Sequence, residues 1–172
     1  MHKVLILDTS LLCVWLAVPS KETCGHGADI WTTAKVDALI QSEIAKGTTL
    51  VLPLASIIET GNHIAQADKL RYEKAQALAD LIAKTADARS PWAAFAAQVE
   101  LWEPEALKQL ANDWVNLAPQ QISLGDAAIK GVAEYYARSN IPVEILTADQ
   151  GLKAFEPITS SVIPQPRRRR SR

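Results

Sequence analysis

Cysteine, histidine and methionine are scarce in this 172-residue chain, at two, three and one. Cys13 and Cys24 cannot build a disulfide framework, and their spacing matches no zinc-binding pattern. The default setting is therefore reducing and cytoplasmic, and Cys13, inside an apolar run, reads as a small buried side chain. Long apolar runs are missing too. The stretch after His2 and Lys3 opens like a secretory signal, but Asp8 and Thr9 interrupt it, leaving only Leu11 to Val18 unbroken. A membrane span needs about 20 apolar residues, so this segment reads as a buried strand and the start of a helix. No Gly-x-Gly-x-x-Gly follows the first apolar run, and no phosphate-cradling lysine loop occurs, which argues against dinucleotide and P-loop nucleotide binding. A basic surface is absent as well. Five of the 18 Lys and Arg residues fall in the last six positions, so the body carries 13 basic against 19 acidic residues, a charge of −6. Nucleic-acid attraction must then come from local patches, bound metal or the arginine tail.

What is present is an ordinary globular composition, 48% apolar and 22% charged, enough for one domain with a proper core. Val4-Leu5-Ile6-Leu7 is a short continuous apolar run, the pattern of a strand covered on both faces. Val36, Leu39, Ile40 and Ile44 follow helical spacing, and Gly47 stops that helix. Thr49 to Leu52 reads as a second strand, ended by Pro53 and followed by a helix from about Leu54. Another helix spans Lys69 to Ala88, with Leu78, Leu81 and Ile82 on one stripe. Pro91 and Pro104 can each open a helix, the latter sharing Leu107, Leu110, Ala111 and Trp114 on one face. Ser123 starts a long helix that buries Ile129, Val132, Ala133 and Tyr136. Val143 to Leu146 is a third strand, Gln150 to Phe155 a short helix, and Ser161 to Ile163 a possible last strand. Alternating strands and helices predict an α/β fold with helices on both faces of a mainly parallel sheet of four to five strands.

In such sheets ligands bind beyond the carboxyl ends of the strands. Asp8 directly follows the first strand, and Asp149 lies three residues after Leu146. Glu59 sits on the helix after the second strand, and Asp126 opens the long late helix. Four acids on these elements can converge although they are distant in sequence. Crowded carboxylates repel unless a cation neutralises them. An all-oxygen donor set favours Mg²⁺ or Mn²⁺ over zinc, and such a metal activates water and clamps phosphoryl oxygens. Each acid also has a plainer role open to it. Ser123-Leu124-Gly125-Asp126 is close to a capping box, and Asp149 can cap the short helix. Glu59 follows two isoleucines on an apolar segment, where an unpaired carboxylate is costly.

Val-Leu-Ile-Leu-Asp8-Thr9-Ser10, Ser56-Ile-Ile-Glu59, Leu124-Gly-Asp126-Ala-Ala-Ile and Ile-Leu-Thr147-Ala-Asp149-Gln-Gly-Leu together resemble the PIN-domain ribonucleases, including the toxin nucleases of toxin–antitoxin pairs. The resemblance covers most of the chain, best in residues 1–16, 49–65 and 121–164. It implies a three-layer α/β/α domain over residues 1–164, with 165–172 as a basic tail. It implies Asp8, Asp126 and Asp149 as ligands of Mg²⁺ or Mn²⁺, and Glu59 as a further ligand or a water-positioning group. Thr9 or Ser10 and Thr147 would orient those carboxylates. The implied reaction is endonucleolytic hydrolysis of RNA to 5′-phosphate and 3′-hydroxyl ends, with an antitoxin or a second copy as possible partners.

Segments 19–29 and 84–120 are additions relative to the compact toxins. Trp31 follows the first segment and Trp92, Trp102 and Trp114 lie in the second; their helical spacing favours packing over base stacking. His63, four residues after Glu59, shares its helix face and is placed to hydrogen-bond it. Arg167, Arg168, Arg169 and Arg170 are candidate phosphate contacts. Two other readings are weighed: a catalytically silent PIN-like module binding RNA or protein, and a haloacid-dehalogenase-like phosphatase using Asp8. The latter needs a second Asp two residues on, where this chain has Ser10.

Overall fold

The apolar run Val4–Leu7 forms strand β1, and all four of its residues are buried. The computed structural model describes residues 3–158; the expected strand at 161–163 and the tail arginines Arg167 to Arg170 lie outside them. After β1 come α1 (Thr9–Trp15), β2 (Thr23–Cys24), β3 (Trp31–Thr32), α2 (Thr33–Ala45), β4 (Thr49–Val51), α3 (Leu54–Gln66) and α4 (Arg71–Ala86). The chain continues through α5 (Pro104–Leu117), α6 (Leu124–Ala137), β5 (Val143–Leu146) and α7 (Gln150–Lys153).

β1 lies between β4 and β5 and is parallel to both, with Ile6 opposite Val51 and Ile145. Strand alternation sends Leu5, Leu7 and Leu50 to one face, where they pack with Leu12, Val36, Ile40, Ile64 and Leu78 of α1–α4. Val4, Ile6, Val51 and Ile145 face the other way, against Ile129, Val132 and Ala133 of α6. The sheet is thus covered by helices on both faces, as parallel sheets require.

Among the described residues the sheet has three strands, with β2 and β3 forming a separate antiparallel pair; the expectation of four to five strands is not confirmed. Among the described residues, the outer edge of β4 holds one parallel bridge, Leu50 to Trp92. Leu50 donates its N–H to the Pro91 carbonyl, and Ala93 donates back to the Leu50 carbonyl, both at 2.8 Å. Pro91 therefore opens no helix. It sits at a sheet edge, where a missing N–H costs no ladder bond. Trp92 is buried and stacks on Trp15, with ring centroids 6.4 Å apart. The stripe on α5 is also less covered than its pattern suggests, since no residue of that helix is buried. No helix among the described residues is long and apolar enough to cross a membrane.

At the end of the sheet where β1 begins, Glu43 closes α2 onto the strands. Buried at 8% exposure, it accepts from Lys46 and Thr48 at 2.8 Å and from Lys3 at 2.9 Å. The Lys46 bond, reinforced by Lys3 and Thr48 against the opposing effect of burial, holds the Glu43 carboxyl at about 2 instead of 4.5. A depressed folded-state pKa stabilises fully above the unfolded value, and that stabilisation fades as pH falls from 4.5 towards 2. Glu43→Gln should therefore lower unfolding free energy near neutral pH by about 3 kcal/mol. Paired denaturant titrations should show the two proteins converging as pH drops through that window.

Candidate active site

Beyond the C-terminal ends of β1 and β5 lies a crevice of about 500 Å³, and Asp8, Glu59, Asp126 and Asp149 all line it. Asp8, 5% exposed, is the residue at which β1 hands over to α1. Its Oδ1 accepts from the Thr9 N–H at 2.6 Å, and its Oδ2 from the Ser10 N–H at 3.3 Å, so it caps α1. Two hydroxyls also donate to Oδ2: Ser10 at 2.6 Å and Thr147 at 2.8 Å. The same hydroxyls accept from the loop after β5, Ser10 from the Ala148 N–H and Thr147 from the Asp149 N–H. Asp8 is thereby tied across the sheet to the loop that carries Asp149.

Glu59 is set by α3. One turn earlier Ser56, fully buried, donates its hydroxyl to the Leu7 carbonyl at 2.8 Å and fixes α3 against the end of β1. Glu59 Oε2 then accepts from the Thr9 hydroxyl at 2.9 Å. Its other oxygen, Oε1, rests against Gly125 in the first turn of α6, where a β-carbon would overlap it. Glu59 thus bridges α1 and α6. The expected bond to His63 is not made; Thr9 takes that place, because α3 packs its Glu59 face on α1, and His63 instead lines the crevice.

Asp126 and Asp149 take up the capping roles that the sequence left open. Asp126 Oδ2 accepts from the Ser123 N–H and hydroxyl at 3.1 and 2.8 Å, completing a capping box. Asp149 Oδ1 accepts from the Gly151 and Leu152 N–H groups at 2.7 and 3.3 Å and caps α7. Each acid spends one oxygen on these tasks. Glu59 Oε1, Asp126 Oδ1 and Asp149 Oδ2 accept no hydrogen bond among the described residues, and no Lys, Arg or His there pairs with any of the four acids.

This donor set is oxygen-only and suits a hard divalent cation in its chemistry. The acids are not drawn into a finished cage: among the described residues no three His, Cys, Asp or Glu side chains stand as a ready metal cluster. Asp8, Asp126 and Asp149 are each held at a helix N-terminus and Glu59 by the Thr9 hydroxyl, so four separate elements fix where the carboxylates stand. Cys13 and Cys24 also line the wall, and burial pushes both thiols up, so they stay protonated and poor ligands near neutral pH. Sequence reasoning missed Ser20, Lys21, Thr23 and Cys24 as crevice residues. They arrive on the β2–β3 insertion, which has no motif of its own. Among the described residues no tryptophan lines the crevice.

Gly125→Ala should separate site from scaffold. Alanine favours a helix over glycine by ~1 kcal/mol, and the displaced atoms belong to the tip of a flexible side chain. Melting should shift by only a few degrees, while a crystal structure of the variant should show the Glu59 carboxylate moved off Thr9. Comparison of the chain with protein-family models, curated proteins and solved structures gave no significant match.

Proposed function

We propose that the protein is a metal-dependent endoribonuclease of the PIN type, hydrolysing RNA phosphodiester bonds at the crevice that holds Asp8, Glu59, Asp126 and Asp149. One observation carries this reading. Four acids spread over 142 positions of sequence line a single cavity past the strand ends, each without a cationic partner among the described residues. Helix capping accounts for single oxygens of Asp126 and Asp149 but not for four acids meeting at one cavity without a cationic partner; a bound cation accounts for that.

Asp8, Asp126, Asp149 and Glu59 would hold Mg²⁺ or Mn²⁺. When bound, that ion supplies Lewis acidity that activates water and neutralises charge on the phosphoryl group. The chain's own residues do the positioning. Ser10 and Thr147 hold the Asp8 carboxylate in one orientation. The Thr9 hydroxyl occupies Glu59 Oε2 and leaves Oε1 to accept a hydrogen bond from the attacking water. The crevice, at about 500 Å³, has room to admit a phosphate.

The dispersed arrangement of the acids favours a second reading, a silent PIN-like module that binds a partner. Beside Glu59, the apolar residues Ile58, Leu107 and Leu124 are 54%, 40% and 46% exposed along a groove between α3, α5 and α6. An antitoxin-like protein or a second copy would bury them. Cleavage of RNA decides between the two readings. Purified protein should cut RNA with Mg²⁺ or Mn²⁺ and stop when chelator is added, leaving 5′-phosphate ends. Asp8→Asn should reduce cleavage by ~10³-fold yet melt within a few degrees of the parent, because Asn caps a helix about as well as Asp. Equal cleavage by parent and variant would assign the activity to a contaminant, and failure of Mn²⁺ to bind would leave the silent module.

A further inference from the structure

We propose that Lys21 receives the RNA backbone at the mouth of the crevice, its ammonium binding a phosphate adjacent to the one cleaved. This rests on the nuclease reading above and adds to it the contact by which a polyanion enters an acidic cavity.

Among the described residues lining the crevice, Lys21 is the one lysine or arginine, facing four acids. It is nevertheless unpaired. Lys21 is exposed and, like Lys35, Lys69, Arg71, Lys74, Lys84 and Arg138, lies within ion-pair distance of no described carboxylate, but of these it alone lines the crevice. An ammonium left free in such a place keeps its charge available for an incoming anion. Its influence reaches the inner wall, where it opposes the upward push of burial on the Cys13 thiol.

The backbone that presents Lys21 is fixed. Val18 and Pro19 are buried, and the Lys21 N–H donates to the Val18 carbonyl at 2.8 Å, closing a tight turn. Pro19 occupies the second position of that turn, and Ser20 the third, with a φ of +67°. Those are the requirements of a type II turn, with serine where glycine is usual. Beyond the turn, Thr23 and Cys24 pair with Thr32 and Trp31, so the segment after Lys21 is anchored as well. The body of the chain, at −6, offers no general basic surface to do this work. A phosphate approaching four carboxylates gains most from a cation placed at the entrance, where the bound metal's own charge is not yet felt.

The test uses the full chain, Mn²⁺ and short single-stranded RNAs of several sequences, at a series of KCl concentrations. Lys21→Ala should raise KM about tenfold for every sequence alike, with the effect on KM rather than kcat. The slope of log(kcat/KM) against log[KCl] should become shallower by about 0.7, the release from one single-strand phosphate contact. Lys21→Arg should restore both. In the Asp8→Asn background, RNA binding by fluorescence anisotropy should weaken by the same factor when Lys21 is also replaced. If the parent cleaves RNA and Lys21→Ala matches it in KM and salt slope, the assignment of Lys21 is wrong and the nuclease reading stands. A parent that neither binds nor cleaves RNA overturns both.

Discussion

β1 is the member on which everything else is registered. Its four side chains are buried, two cores meet across it, and both neighbouring strands take their register from it. A strand so enclosed can end in only one place, where the next residue finds polar partners. That residue is Asp8, and its partners are the first turn of α1 and the hydroxyls of Ser10 and Thr147. The hydrogen bonds that allow a carboxylate to be 5% exposed at this point are the same ones that aim it. From Asp8 the geometry spreads outward. Thr9 reaches Glu59, and the loop after β5 is held by Ser10 and Thr147 so that Asp149 faces the same space.

Structural and chemical roles are therefore not rivals in this crevice. Three of the acids cap helices, yet capping consumes a single oxygen on Asp126 and on Asp149. A carboxylate offers about four lone-pair sites, and a helix N-terminus satisfies one or two of them. The positive end of a helix also makes an anion cheaper to keep at that position. Using caps as ligands thus lowers the cost of gathering negative charge before any cation arrives. It also limits how close the acids come, because each is tethered to a separate element. The result is four acids in one cavity without a preformed cluster.

Much of this was legible in the sequence, and the rest has identifiable reasons for being hidden. Val4–Leu7, Thr49–Val51 and Val143–Leu146 stood out because buried parallel strands are apolar at nearly every position. Ser123 announced α6, and the capping box forms as the spacing to Asp126 indicated. The β2–β3 pair escaped notice because two-residue strands leave no alternation to read. Pro91 was read as a helix opener from local chemistry alone; its place beside Leu50 depends on a contact 41 residues back in the chain. The link between Glu59 and His63 looked sound on one helix face, but a hydroxyl from another helix lies nearer. Gly125 carried no signal at all, since the volume that excludes its side chain belongs to Glu59, 66 positions away.

The same reasoning explains why the apolar stripe of α5 overstated its burial. Leu107, Leu110, Ala111 and Trp114 do share a face, and Trp114 is fixed by donating its indole N–H to the Ile122 carbonyl at 3.0 Å. A helix stripe specifies that something apolar should cover it, not that the chain supplies the cover. Here Leu107 and Leu124 remain open beside Ile58, on a groove that ends at Glu59. A ligand seated there would touch the acid that spans α1 and α6, so occupation of the groove and the orientation of Glu59 are physically linked. Glu59 lies between a crevice built of oxygen donors and a groove built of methyl groups. Its two oxygens face different helices, one held by Thr9 and the other resting on a residue that has no side chain to resist it.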